Sequence, residues 1–175
     1  MTIREQTKAE SLGFLARVRL GRLACSQANQ PYVVPFYFVC HDGYLYSFST
    51  LGQKIEWMRA NPLVCVLADE VAGPLDWTSV VVSGRYEELL DTPELSGALQ
   101  FAHRLLSQNA IWWEPGYTRT ILHDIERPLA PLFFRIHIDQ MTGHRAVAET
   151  NAPARGHRAG EQTAWFRKIL RRFSG

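Results

Sequence analysis

The chain has 175 residues, of which 46% are hydrophobic and 21% charged, and its formal net charge is +2. This length is typical of one domain that buries roughly 70% of the surface of its unfolded chain. The longest stretch without charge, residues 23–41, is interrupted by polar residues and two prolines, which excludes a transmembrane helix. The first ten residues mix acids with bases around no apolar run, so we expect no secretory signal.

Charge is distributed unevenly along the chain. Residues 1–150 hold 13 Lys and Arg against 16 Asp and Glu, whereas residues 151–175 hold 6 against 1. The body is therefore mildly acidic and the tail basic, and the overall charge gives no argument for nucleic-acid binding.

The three cysteines, Cys25, Cys40 and Cys65, lie in apolar runs without CxxC spacing. This pattern predicts reduced, buried thiols in a cytoplasmic protein and contains no metal-binding motif.

The first half of the chain is predicted to be a helix followed by strands. Apolar residues at helical spacing predict a helix over 5–16, and apolar runs over 21–26 and 32–41 predict two strands. Pro35 places the second strand at a sheet edge or at a bulge. The pair Asp42-Gly43 then predicts a hairpin into a third strand over 44–48.

The second half begins with a helix over 52–61, which ends before Pro62 and is followed by a fourth strand over 63–69. A fifth strand over 78–90 contains Gly84, which indicates a bulge or a close approach of two backbones. Asp91 and Glu94 give a capping-box pattern before a helix over about 93–108.

Residues 111–131 have no regular pattern, whereas residues 132–140 alternate as a sixth strand with one apolar and one more polar face. Six strands joined mostly by hairpins predict a mainly β protein with short helices and an antiparallel barrel. We assign residues 1–147 to this domain and residues 148–161, which are small and polar, to a linker.

The tail, residues 162–175, is predicted as a basic amphipathic helix. Such a helix can dock on the body or on a partner, or lie on an anionic membrane surface. We favour docking on protein because the acidic body offers a complementary charge.

The segment between the third strand and the next helix combines hydroxyl groups with a lysine. Ser49 and Thr50 can donate hydrogen bonds, Gly52 admits a ligand close to the backbone, and Lys54 lies in the first helical turn, where the helix dipole favours anions. This combination indicates a phosphate site. In the alternative, Ser49 or Thr50 is only the N-cap and Lys54 is solvated.

The order of these motifs resembles the FMN-binding split-barrel family, which includes pyridoxamine 5'-phosphate oxidase-like flavoproteins and nitroimidazole-resistance proteins. The matching segments are VVPFYFVCHDGYLYSFSTLGQKIEWMRANPLVCVLAD, WTSVVVSGRYEEL and FFRIHIDQMTGHRA, within about residues 12–146. The resemblance implies a six-stranded antiparallel split β-barrel. It also implies a homodimer that binds FMN in two clefts at the subunit interface.

The resemblance further implies which residues hold FMN. The phosphate would lie where the third strand meets the helix, at Ser47, Ser49, Thr50 and Lys54, with Phe48 as a wall beside the flavin. The flavin ring would rest on the backbone of the second and fifth strands. Those strands contribute Val34, Pro35, Phe36, Tyr37, Thr78, Ser79 and Val80.

Trp112 and Trp113 are candidates to cover the ring from the partner chain, or to anchor the two subunits to each other. Nitroimidazole-resistance relatives tend to have a histidine where this chain has Phe48, which cannot donate a proton. The chain also lacks the arginine-rich pattern expected of a true pyridoxamine phosphate oxidase. Both departures argue against those two specific activities.

We therefore expect an FMN-dependent oxidoreductase that passes hydride from a reduced nicotinamide cofactor to a small acceptor, with the chemistry supplied by the flavin rather than by a protein acid or base. One alternative is haem or a deazaflavin in the same barrel, and haem would need an axial ligand such as His103 or His123. A second alternative is a flavin-carrying or sensing module without turnover.

Overall fold

A computed structural model of the chain describes residues 1–108, 120–122, 125–127 and 131–147. Several predictions fall outside these described residues. They concern Trp112, Trp113, His123, the linker over 148–161 and the tail helix over 162–175, and they stay predictions.

Three helices and ten strands make up the described chain. The helices are α1 (Lys8–Arg17), α2 (Gln53–Ala60) and α3 (Ser96–Ser107). The strands are β1 (Thr2–Glu5), β2 (Leu20–Gln27), β3 (Gln30–Tyr37), β4 (Val39–His41), β5 (Tyr44–Ser49), β6 (Leu63–Gly73), β7 (Asp76–Glu88), β8 (Thr120–Leu122), β9 (Ile125–Arg127) and β10 (Leu132–Val147).

The strands form one eight-stranded antiparallel sheet in the order β3-β2-β6-β7-β10-β5-β4, with β1 paired to the end of β10. Strands β8 and β9 pair separately. The predicted class, a mainly β protein with short helices and an antiparallel split barrel, is confirmed, although the sheet is not closed and has more than six strands.

The extra strands arise in three places. β1 precedes the first helix, and the predicted strand over 32–41 is divided into β3 and β4. The division falls at Phe38, whose backbone N–H donates to the carbonyl of Arg19 while its side chain is fully buried. The segment predicted as irregular contains β8 and β9.

Two hydrophobic clusters lie on opposite faces of β5 and β10. The main cluster fills the space enclosed by the sheet, α1 and α2, and includes Phe38, Ile55, Met58 and Phe134. The second cluster lies beneath α3 and includes Phe133. Helix α3 therefore covers part of the face of the last strand that the sequence pattern predicts to be more polar.

The two backbone features predicted from glycine are confirmed. Asp42 and Gly43 both have positive φ, 47° and 76°, as a two-residue hairpin turn requires. A Cβ on Gly84 would lie 2.2 Å from the carbonyl oxygen of His137, so the two backbones are in close contact. The register of β10 against β7 shifts nearby, between Ile138 and Gln140.

The predicted capping box of α3 is wrong, and the alternative in which Ser49 or Thr50 is the N-cap of α2 is excluded. Helix α3 begins after Leu95, which has no side-chain cap, because a turn over 92–95 precedes it and the N–H groups of Leu95 and Ser96 both bond to the carbonyl of Thr92. The Asp91–Glu94 pair therefore does not form the capping box. Helix α2 begins after Gly52, also without a side-chain cap, so neither Ser49 nor Thr50 is its N-cap.

Candidate functional site

Helix α2 is held against the sheet by three contacts. The ring of Trp57 packs edge-on against Tyr32 of β3 at a centroid distance of 5.5 Å. Just beyond the helix, Asn61 Nδ2 donates to the carbonyl of Ser26 at 3.1 Å. Arg59 donates from Nε and Nη2 to both carboxylate oxygens of Glu88 on β7, at 2.7 and 2.6 Å. These contacts fix the first turn of α2 beside β2 and β3.

Lys54 lies in that first turn, three residues before Trp57 and hence on the same side of the helix. Its side chain is half-buried, and it interacts electrostatically with the buried Cys25, the register partner of Tyr32. Burial lowers the pKa of Lys54 and raises the pKa of the Cys25 thiol. Within the described part of the chain, Lys54 has no ion-pair partner.

The start of α2 offers further donors beside Lys54. The N–H groups of Ile55 and Glu56 both bond to the carbonyl of Gly52. No side chain caps the helix, so the donors that precede Ile55 are not used by a cap. A half-buried cation next to uncapped helix donors is an arrangement that suits an anion.

The hydroxyl residues of β5 differ in their surroundings. Ser47 is 2% exposed, and its hydroxyl donates to the carbonyl of Tyr37 at 2.7 Å. Ser49 is half-buried and its hydroxyl donates to the carbonyl of Thr50, which is exposed. Phe48 points to the opposite face of β5, where its ring lies 6.1 Å from that of Phe133. Ser47 therefore joins β5 to β3, and Ser49 and Thr50 lie nearest the start of α2.

The two strand segments predicted to support a flavin ring are separated by β2 and β6. Phe36 on β3 pairs with Gly21, and Val80 on β7 pairs with Ala68. Because Arg22 pairs with Leu67, Gly21 and Ala68 lie side by side, and the two segments are level but about 14 Å apart across three strand spacings. Phe36 and Val80 are buried, Pro35 is exposed, and the remaining predicted residues are half-buried: Val34, Tyr37, Thr78 and Ser79.

His103, the candidate haem ligand within the described residues, is exposed on α3. Its ring lies 5.7 Å from that of Phe133, in the second cluster. It is therefore on the other face of the sheet from the main cluster, which α2 covers.

Sequence reasoning missed the buried Cys25, with which Lys54 interacts electrostatically. Helical spacing places Lys54 on the same side of α2 as Trp57, whose ring contacts Tyr32. Which strands this side of the helix meets depends on how α2 packs on the sheet, which local patterns do not specify.

All three cysteines are free, as predicted. Cys25 is buried, whereas Cys40 and Cys65 are half-buried, and burial raises the pKa of each thiol. No helix in the described ranges is long and apolar enough to cross a membrane.

Two known proteins are similar to this chain in sequence over most of its length. A solved structure of a FAD-binding protein from Mesorhizobium loti is 44% identical, with a TM-score of 0.69 over 83% of this chain and 99% of that chain. An uncharacterized protein of Rhizobium meliloti (strain 1021) is 40% identical over 148 residues, 85% of this chain and 98% of the relative.

A more distant structure shows the same fold. The FAD binding protein from Mycobacterium smegmatis is 23% identical, with a TM-score of 0.57 over 82% of this chain and 98% of that chain. The family model described as pyridoxamine 5'-phosphate oxidase matches residues 7–145, which is most of the chain. The resemblance inferred from the motifs is thus confirmed, and the chain belongs to the pyridoxamine 5'-phosphate oxidase family.

Proposed function

We propose that this chain is a flavoprotein that holds the phosphate of a flavin nucleotide where β5 meets α2. The observation that carries the proposal is Lys54, a half-buried cation without an ion-pair partner in the described chain. Desolvation of an ammonium group is unfavourable unless an anion compensates it. A phosphate at this position would supply that anion.

The residues at the site fit a phosphate in charge and in hydrogen bonding. Lys54 would provide the charge, the Thr50 hydroxyl would donate, and the N–H groups that no cap uses at the start of α2 would add oriented dipoles. The Ser49 hydroxyl would have to turn away from the Thr50 carbonyl to donate as well. When bound, a flavin supplies hydride and electron transfer that no side chain can supply. The backbone of β3 over 34–37 would bind and orient the ring.

We further propose that the protein is a homodimer. The β3 and β7 segments are separated by three strand spacings, about 14 Å along the curved sheet, so a ring that rests on the outside of β3 needs a second wall. A partner chain could supply that wall through its Thr78–Val80 segment or through Trp112 and Trp113. We expect a cytoplasmic location, in keeping with three free thiols.

FMN is the cofactor we propose first, because the site at β5 and α2 accounts for a terminal phosphate. FAD is the second candidate, because the relative that is 44% identical is described as a FAD-binding protein. Acid extraction of the purified protein, followed by chromatography against FMN and FAD standards, distinguishes the two. A Soret band in the spectrum of the protein would identify haem as the cofactor instead of FMN or FAD. A deazaflavin in the extract would likewise identify a deazaflavin.

The reaction we propose is hydride transfer from a reduced nicotinamide cofactor to a small acceptor. The protein's part is to position the reactants and exclude water, because a bound flavin supplies the hydride chemistry itself. Steady-state oxidation of NADH and NADPH, with and without added acceptors, tests this. A protein that binds flavin but shows no turnover with either would be a flavin-carrying module instead.

The decisive experiment compares Lys54→Ala with Lys8→Ala. Lys8 is exposed and also lies in the first turn of a helix, so it is a matched control. We expect Lys54→Ala to weaken binding of the flavin nucleotide by about 10- to 100-fold and to reduce the rise in Tm that saturating flavin causes in the apo-protein. Lys8→Ala should leave both unchanged. Equal affinities of the two variants would refute the site.

A further inference from the structure

A second cavity, of about 350 Å³, lies at the end of the barrel between α1, β1 and the β6–β7 turn. Its volume falls in the range of small-molecule sites. The phosphate site proposed above is at α2, so this cavity is a different place. Thr78 lines the cavity, so the cavity shares one residue with the β7 segment predicted to contact the flavin ring.

A row of four directly paired residues crosses the cavity wall. Arg4 of β1 pairs with Arg145 of β10, Arg145 pairs with Thr78 of β7, and Thr78 pairs with Glu70 of β6. Directly paired residues point to the same face of a sheet. The cavity thus receives two guanidinium groups, a hydroxyl and a carboxylate from one row.

Two of the charged residues in this row, Arg4 and Glu70, form ion pairs with residues of α1. Arg4 donates to both carboxylate oxygens of Glu10, at 2.7 and 3.1 Å. Arg17 likewise donates to both oxygens of Glu70, at 2.7 and 2.6 Å. These ion pairs hold α1 against the row. Both carboxylate oxygens in each pair already accept hydrogen bonds, so the pairs are poorly placed to bind a ligand as well.

Arg145 and Asp76 also line the cavity, and neither has an ion-pair partner among the residues that the structure describes. Asp76 is two residues before Thr78, so it lies on the same face of the sheet as Arg145. The cavity therefore presents one uncommitted cation and one uncommitted anion, and the apolar Phe14 of α1 also lines it.

The two uncommitted charges indicate the ligand's polar groups. Asp76 favours a ligand with an N–H donor, and Arg145 favours a ligand with a negative group.

We propose that this cavity binds a small zwitterion with an apolar body, such as a free amino acid. Arg145 and the Thr78 hydroxyl hold its carboxylate, and Asp76 holds its ammonium group. The inference goes beyond the proposed flavin site and does not rest on it. Arg145 and Asp76 lie outside that site, and Thr78 alone is shared with the residues predicted to support the ring.

The test uses three probes that share one apolar body. Phenylalanine carries both charges, 3-phenylpropanoate only the carboxylate, and phenethylamine only the ammonium group. Titration calorimetry with the full-length protein, first as purified and then saturated with FMN, measures each affinity. We expect saturable binding of phenylalanine, and weaker binding of the two single-charge probes.

Two variants should separate the two charges. We expect Arg145→Gln to lower the affinity for phenylalanine and for 3-phenylpropanoate by about tenfold and to leave the affinity for phenethylamine unchanged. Asp76→Asn should lower the affinity for phenylalanine and for phenethylamine by about tenfold and leave the affinity for 3-phenylpropanoate unchanged. Arg104→Gln and Asp91→Asn, exposed residues of α3 and the loop before it, are controls of equal charge change.

Thermal melts by circular dichroism confirm that each variant is folded. The proposal is overturned if phenylalanine shows no saturable binding to the unmodified protein. It is also overturned if the two variants weaken all three probes equally. Because the titrations of the protein as purified need no added flavin, a failure of the flavin site in the Lys54→Ala experiment would leave their result unaffected.

Discussion

The hydroxyl of Ser47 donates a 2.7 Å hydrogen bond to the backbone carbonyl of Tyr37. These residues lie on β5 and β3, which are not neighbours in the hydrogen-bonded order of the sheet. The bond therefore links two parts of the barrel that the ladder leaves unjoined. It also places the β3 segment that we propose for the flavin ring beside the strand that leads to Lys54.

We expect Ser47→Ala to destabilise the protein by about 1 kcal/mol, because it removes a buried hydrogen bond. The variant should also weaken flavin binding modestly, since β3 loses its tie to β5. Urea unfolding and flavin titration measure the two effects. Ser83→Ala, an exposed strand serine, is the control and should change stability by less than about 0.5 kcal/mol. Equal changes in both variants would contradict the structural role of Ser47.

Gly84→Ala should destabilise the fold by about 3 kcal/mol or more, because the new Cβ would lie 2.2 Å from a backbone oxygen that cannot move aside without disturbing β10. Gly97→Ala is the matched control. No atom lies within 4 Å of a Cβ at this position in α3, and alanine favours the helix, so we expect it to be neutral or stabilising. Chemical denaturation of both variants checks the prediction, which fails if Gly84→Ala is neutral.

Lys54→Met should stabilise the apo-protein at neutral pH by an amount on the order of 1 kcal/mol, while it removes flavin binding. Burial lowers the pKa of Lys54 below its ordinary value of 10.5, so the charged form is disfavoured in the folded state. Below the folded pKa, lysine is charged in both states and the penalty is complete. As pH rises from the folded pKa towards 10.5, the folded state releases its proton first and the penalty fades.

The gap in stability between Lys54→Met and the unmodified apo-protein should therefore narrow in that alkaline window. Thermal unfolding as a function of pH measures it. A gap that is constant with pH, or a less stable Lys54→Met variant, would show that burial of Lys54 carries no penalty.

Glu10 should make the stability of α1 sensitive to acid. Its bonds to Arg4 and to the backbone and side chain of Thr7 lower the pKa of its carboxyl from 4.5 to about 2. This stabilisation is present above the unfolded pKa and is lost as pH falls from 4.5 towards 2. We expect Glu10→Gln to lower stability at neutral pH and to flatten its decline over that window.

The measurement for Glu10 is the pH dependence of unfolding in urea, with Glu5→Gln as control. Glu5 is an exposed carboxylate of β1. If the stability of Glu10→Gln declines with acid as steeply as that of the unmodified protein, the bonds of Glu10 to Thr7 and Arg4 do not contribute as described.

Much of the fold was predictable from local pattern because hairpins carry strong local signals. Asp42-Gly43 and the apolar alternation around it specify β4 and β5 without reference to the rest of the chain. Gly84 was also informative, because a glycine in a long strand indicates backbone contact. Lys54 was identified because a cation in a first helical turn conflicts with the helix dipole.

What could not be predicted depends on contacts between distant segments. β10 continues to Val147, seven residues beyond the predicted strand end, since the register shift after Ile138 interrupts the alternation that marks a strand. β1 has four exposed residues and hence no apolar signal. The relative position of the β3 and β7 segments depends on the register through β2 and β6, which only the folded sheet defines.

The position of β3 at the end of the sheet has a consequence for self-association. Backbone amides of residues 31, 33, 35 and 37 all point the same way, and the bond from Ser47 to Tyr37 shows that this is the open side. Pro31 and Pro35 have no N–H to offer there, and the Tyr37 carbonyl is already engaged by Ser47. A foreign strand that approached this border would find half of the donors missing, so the barrel is protected against templated fibril growth along β3.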